Sequence, residues 1–364
     1  FQLPHVRRRK NVRPVVLIPG DGGSQLEYRV KGNRSSRPEY CPKPSPNYTL
    51  LWLNMKLMMP NSLECWIMDF KLTYNITTRR TQDSPDVDIR VRQFGNTKPV
   101  EVVDENEFFP MKYFANLVDH LRRLGLAQGK TLSAASYDFR RGPSEQAGYY
   151  KELARLVEKS YFSGNRKPVL LVAHSMGAPL TLAFLQDRPL PWKKKYIAGF
   201  ITLAGCWIGA VKALKVFAAG DDMGIFFLPR LAIREEQRSQ SSLSFLIPQP
   251  EFWRDDPILV STPERLYSVY DYASFFRDIN YWDGYEMWLD SLPYLRFKDP
   301  PRVPVFCFYG VGIKTIKRLV YDEQRDFPGL TTSFAKHFDT KLTSERNLPL
   351  QIIQNSSTEM EMAQ

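Results

Sequence analysis

An α/β fold, with a mostly parallel sheet flanked by helices, is the architecture the sequence predicts, and three observations lead to it. Short apolar runs alternate with longer amphipathic ones through the first half of the chain, the order expected when helices cover a parallel sheet. The run Val169-Leu170-Leu171-Val172 passes directly into Ala173-His174-Ser175-Met176-Gly177, where a serine between small residues marks a sharp strand-to-helix turn. The run Val15 to Ile18 passes into Pro19-Gly20-Asp21-Gly22-Gly23-Ser24, a glycine-rich loop at the end of another apolar strand.

Taken in order, Val15 to Ile18 reads as a strand, Met111 to Leu124 as a helix and Leu132 to Tyr137 as a strand. Tyr149 to Tyr161 reads as a helix, because Tyr149, Leu153, Leu156 and Val157 share one face and Lys151, Glu152, Arg155 and Glu158 lie off it. Val169 to Val172 is the next strand. After the elbow, Pro179 suits a first helical turn, and Leu180 to Leu185 suits a helix buried under the sheet. Two segments break the alternation: residues 33–95, rich in Pro, Asn, Trp and Met, and residues 215–300, rich in aromatics without clear period. Both read as insertions on the scaffold rather than as independent domains.

The 364 residues are 43% hydrophobic and 13% aromatic, enough to bury a large core and too apolar for general disorder. The longest apolar stretch, Ile197 to Val211, has 15 residues and three glycines, too short for a bilayer span. A net charge of +11 suits an anionic lipid surface or a solvated face. Nucleic acid is not expected as a partner, because the lysines and arginines are scattered and no nucleic-acid-binding motif accompanies them. Residues 1–13 form a basic N-terminal arm, with His5-Val6-Arg7-Arg8-Arg9-Lys10 at its centre.

Of the cysteines, Cys41 and Cys65 bracket a loop that closure would stabilise by about 3 kcal/mol in an oxidising compartment, and they are the favoured pair. Cys206 and Cys307 sit in apolar strand-like surroundings and read as buried free thiols. Glycosylation sequons stand at Asn33, Asn47, Asn75 and Asn355, the first three close together in the 33–95 segment.

The chemistry suggested is acyl transfer. An elbow serine, Ser175, presents an exposed hydroxyl beside the N–H of Met176, and the loop after the first strand supplies a second N–H for a tetrahedral intermediate. That loop matches neither the phosphate-cradling nor the dinucleotide-binding glycine pattern, so no cofactor is expected, and no metal site.

These residues resemble the lecithin:cholesterol acyltransferase and lysosomal phospholipase A family of α/β hydrolases. The resemblance runs from about Pro14 to Gly312 and rests on several segments. They are Val16 to Glu27, the Cys65-Trp66 pair, Tyr137-Asp138-Phe139-Arg140-Arg141, Ala173-His174-Ser175-Met176-Gly177 and Ile233 to Ser239. The Ser-Met elbow and the arginine pair are closer to the lysosomal phospholipase branch.

The resemblance implies an α/β-hydrolase domain over residues 14–312, followed by a divergent tail at 313–364. It implies a serine acyl-enzyme at Ser175, formed from a phospholipid and resolved by water or a lipid alcohol. The oxyanion hole falls on the amides of Asp21 and Met176, and a disulfide on Cys41 and Cys65. The 33–95 insertion becomes a membrane-binding element, with Leu51, Trp52, Leu53, Leu57, Met58 and Trp66 as its membrane-binding residues. The 215–300 insertion becomes a cap whose segment Ala218 to Phe227 resembles a mobile lid. Expected partners are phospholipid membranes or lipoprotein surfaces, preferably anionic, and the expected location is lysosomal or secreted.

The triad is the point of departure. The family places an aspartate in a Gly-Asp-Gly turn and a histidine near the C-terminus, and neither pattern follows Gly312. The C-terminal part of the fold therefore reads as missing or altered. His337, downstream of Asp322 and Asp326, is the one candidate base. The alternative is a catalytically impaired lipid-binding relative that lacks the triad acid and histidine.

Overall fold

The computed structural model describes residues 12–32, 37–105 and 110–321, together with the backbone of a strand at Gln351–Gln354. Five strands form a parallel sheet, in the order Val305–Phe308, Ile197–Leu203, Val169–His174, Val15–Ile18, Leu132–Ala134. Val15 to Ile18 are all buried, as a central parallel strand covered on both faces must be. The helix Ala147–Ser163 turns Leu153, Leu156 and Val157 inward and leaves Lys151, Glu152 and Arg155 exposed, the face its periodicity predicts.

From Val15–Ile18 the chain crosses to Leu132–Ala134 on one side of the first strand, then returns to Val169–His174 on the other. Connections that leave in opposite directions open a crevice beyond the carboxyl ends of adjacent strands, the usual seat of a site in such sheets. The glycine-rich loop and the elbow emerge there.

The described residues up to Phe70, Asp83–Trp207 and Pro293–Tyr309 make one compact unit; Lys71–Gln82, Ile208–Leu292 and those from Gly310 onward make another. The 33–95 segment is thus divided between the two. In the first unit Cys41 and Cys65 are bridged, as the sequence favoured. Trp52 stacks on Phe70 at a centroid distance of 5.5 Å and meets Phe139 at 5.4 Å, while Trp66 stacks on Phe70 at 5.0 Å.

This packing turns most of the set expected to bind membrane inward. Leu51, Trp52, Leu53, Met58 and Trp66 are buried and Leu57 is half-buried, because these side chains fill a satellite core closed by the disulfide. Lys56 and Met59 are exposed instead. Cys307 is a correction: it is exposed, since it lies on Val305–Phe308, the edge strand of the sheet among the described residues. Cys206 is half-buried.

In the second unit, Ile258–Ser261 pairs antiparallel with Leu266–Ser268 and parallel with Ile316–Val320. Ile316–Val320 in turn pairs with Gln351–Gln354. The tail read as divergent therefore contributes two strands to this sheet. In the lid-like segment, Asp221 is buried and pairs with Lys212 at 3.1 Å and Lys215 at 2.8 Å, whereas Phe226 is 96% exposed. The segment is anchored at its start and bare at its tip. Among the described residues, no helix is long and apolar enough to cross a membrane.

The Arg140 guanidinium, in the first unit, is fully buried. It donates to Asp138 at 2.9 and 2.7 Å, to Asp83 at 2.7 Å and to the Phe70 carbonyl at 3.0 Å. Removing it takes the donor from the Phe70 carbonyl and leaves Asp138 and Asp83 with Arg141 as their remaining arginine partner, at 3.2 and 2.7 Å. Arg140→Ala is expected to lower unfolding free energy by about 3–5 kcal/mol, measured by urea denaturation. A loss below 1 kcal/mol, the range of an exposed ion pair, would show that the cluster is solvated.

Candidate active site

Ser175 is the residue around which the crevice is built. It follows the strand Val169–His174 and has φ of +52°, in the left-handed region that a side-chain-bearing residue rarely occupies. Such strain costs about 1–3 kcal/mol and persists only where neighbours hold it. Here the Ser175 N–H donates to the Leu203 carbonyl at 3.0 Å, and the Ser175 carbonyl accepts from Ala178 N–H at 3.0 Å. Ala173, the departure from a glycine, is the buried strand residue opposite Ile18 and Thr202, where a methyl group fits.

Glycine is demanded at two other points. A Cβ on Gly177 would lie 2.3 Å from the Pro19 carbonyl oxygen, and a Cβ on Gly20 would lie 2.7 Å from Ser175 Cβ. The elbow and the loop after the first strand are therefore in direct contact. Met176 is the N-cap of the helix Gly177–Gln186, so its amide stands at a helix N-terminus, where partial positive charge favours an oxyanion. Asp21 sits in the exposed part of the opposing loop.

Aromatic side chains hold that loop. The Trp52 indole N–H donates to the Gly22 carbonyl at 2.8 Å, and the Tyr137 hydroxyl donates to the Pro19 carbonyl at 3.0 Å. The Gly20 N–H donates to the Tyr113 hydroxyl oxygen at 2.9 Å. Tyr113 also meets Nδ1 of His174 at 2.5 Å. Burial pushes the His174 imidazole below the usual histidine range and the Tyr113 phenol upward, so both are neutral near pH 7.

Two further neighbours carry no motif. Cys206 Sγ lies 3.5 Å from Ser175 Oγ, and burial raises its thiol pKa. It follows the neighbouring parallel strand, Ile197–Leu203, and strand ends on one side of a parallel sheet share one crevice, which is the signal that could have found it. Tyr113 gave no comparable signal.

The structure joins Ser175, Met176 and the Asp21 loop, and leaves the base unassigned. The histidines among the described residues are His120, exposed on the helix Ala115–Arg123, and His174. His337 lies outside the described residues, as do Asn33 and Asn355. Asn47 is exposed; Asn75 is half-buried, its side-chain oxygen accepting from the N–H groups of Thr77 and Thr78.

Residues 48–345 match the family described as lecithin:cholesterol acyltransferase. The lysosomal phospholipase A and acyltransferase of Canis lupus familiaris is 40% identical over 316 residues, covering 86% of this chain and 76% of its own. The protein of that name from Homo sapiens is 39% identical over 316 residues, with the same coverage of 86% and 76%. The phosphatidylcholine-sterol acyltransferase of Mus musculus is 36% identical over 329 residues, covering 89% of this chain and 73% of its own.

Two outcomes follow from the geometry. Gly20→Ala is expected to slow fluorophosphonate labelling of Ser175 by about 10²-fold, because displacement of a reacting group by an ångström costs on that order; an unchanged rate would mean the loop yields freely. N-ethylmaleimide at neutral pH should modify Cys307 well before Cys206, read by peptide mass spectrometry, since burial and a raised pKa withhold the Cys206 thiolate. Equal rates would contradict the burial of Cys206.

Proposed function

This chain belongs to the lecithin:cholesterol acyltransferase family, and from that premise we propose that it removes a fatty acyl chain from a phospholipid through Ser175 and passes it to water or a lipid alcohol. The observation that carries the reading is the left-handed Ser175 at the end of a buried parallel strand, abutting the glycine loop. Ser175 Oγ attacks the ester carbonyl and gives its proton to a base. The developing oxyanion is held by the amides of Asp21 and Met176, the lyso-lipid leaves with the returned proton, and the acceptor repeats the sequence in reverse.

For the base we propose His337, the one histidine left once His120 on its exposed helix and His174 bonded to Tyr113 are set aside, apart from His5 in the N-terminal arm. The net charge of +11 favours anionic lipid surfaces over neutral ones. The Cys41–Cys65 bridge favours an oxidising route, hence a lysosomal or secreted location, with glycans at Asn33, Asn47 and Asn75. A second reading, lipid binding without turnover, is favoured by one observation: neither described histidine is placed as a free base.

The test is fluorophosphonate labelling of the purified chain beside Ser175→Ala and His337→Ala, with phospholipid turnover on anionic and zwitterionic vesicles. Labelling should vanish in Ser175→Ala, and His337→Ala should lose about 10³-fold or more in kcat, as removal of a triad member does. Faster turnover on anionic vesicles should disappear at high salt. A wild-type chain that binds vesicles and neither labels nor turns over would establish the lipid-binding reading instead.

A further inference from the structure

We infer that Tyr113 is a positioning residue for this reaction: its hydroxyl couples the oxyanion loop to the nucleophile elbow by bonding Gly20 N–H on one side and His174 Nδ1 on the other. The inference rests on the acyl-transfer reading of Ser175.

The direction of the first bond follows from valence, and the second is part of the inference. A phenol has one proton to give and lone pairs to accept with. Gly20 N–H is a donor, so the Tyr113 oxygen accepts there at 2.9 Å. Its proton is then available for His174 Nδ1 at 2.5 Å, and the inference assigns that ring nitrogen as the unprotonated acceptor. The imidazole is then the Nε2–H tautomer, and burial, which lowers its pKa, favours that neutral form.

The hydroxyl is itself fixed from behind. Tyr113 N–H donates to the Glu101 carbonyl at 2.8 Å, and its ring stacks on Phe114 at a centroid distance of 4.3 Å. Phe114 in turn packs edge-on against His174. Gly20 and His174 are the residues immediately before Asp21 and Ser175 in sequence. Turning the Gly20 amide toward Tyr113 sets the orientation of the next peptide, the one that carries the Asp21 N–H. Holding the His174 ring sets the backbone that enters the strained elbow. One oxygen atom thereby registers both halves of the crevice, where errors of half an ångström weaken oxyanion stabilisation.

The experiment pairs kinetics with spectroscopy on the full chain. Tyr113→Phe keeps the ring and its stacking; it should lower both kcat and the Ser175 labelling rate about tenfold and leave KM within about twofold. Long-range nitrogen–proton spectra of histidine-labelled protein should show wild-type His174 as the neutral Nε2–H tautomer at neutral pH, and Tyr113→Phe as a tautomer mixture titrating at higher pH than wild type. A wild-type Nδ1–H tautomer, or a Tyr113→Phe variant that labels at the wild-type rate, would overturn the inference. If wild type does not label at all, the serine reading fails, and the wild-type tautomer still decides whether Tyr113 donates to His174.

Discussion

The register between two neighbouring strands governs this molecule. Ile18 pairs with Ala173, so the turns that follow both residues leave the sheet at the same height and on the same side. A parallel pair shifted by one residue would move every side chain to the opposite face and separate the glycine loop from the serine. With the register as it is, Gly20 comes within van der Waals contact of Ser175 and Gly177 of Pro19, contacts that no larger residue at those positions could make. The strained conformation of Ser175 is sustained by this fit, through the strand bond to Leu203 and the first turn of the following helix.

Around that contact lies a layer of aromatic residues whose polar atoms do the holding. Trp52, Tyr113 and Tyr137 each bury a large ring and extend one hydrogen-bonding atom to the loop backbone, at Gly22, Gly20 and Pro19 respectively. The loop has few side chains of its own with which to fix its shape, and neighbouring elements supply that rigidity. The disulfide-closed satellite core gains a purpose in this arrangement. Its stacked Trp52, Trp66 and Phe70 set the position of the indole that braces the glycine-rich loop.

Much of this was legible in the sequence. Strand periodicity located Val15–Ile18 and Val169–His174, the helical face of Ala147–Ser163 was read correctly, and the elbow and the Cys41–Cys65 bridge stand where they were expected. What the sequence left open shares one cause. A run such as Leu51-Trp52-Leu53 states that surface must leave water, and it does not state whether protein or lipid covers it. Cys307 looked buried for the same reason, its apolar neighbours being on an edge strand. Tyr113 and Cys206 reach Ser175's surroundings from separate elements, through contacts that exist only once the sheet is assembled.

The edge strand Val305–Phe308 has a consequence for how the protein behaves in company. Val305, Phe306 and Phe308 are 41%, 52% and 59% exposed, and the strand pairs on one side with Ile197–Leu203. Its other side, among the described residues, presents a row of backbone donors and acceptors flanked by apolar side chains, with no charged residue between Val305 and Val311 to discourage a visitor. Such a strand is a template: any extended apolar segment that arrives can continue the sheet. Where that edge stays bare, crowded chains would meet one another edge to edge along it.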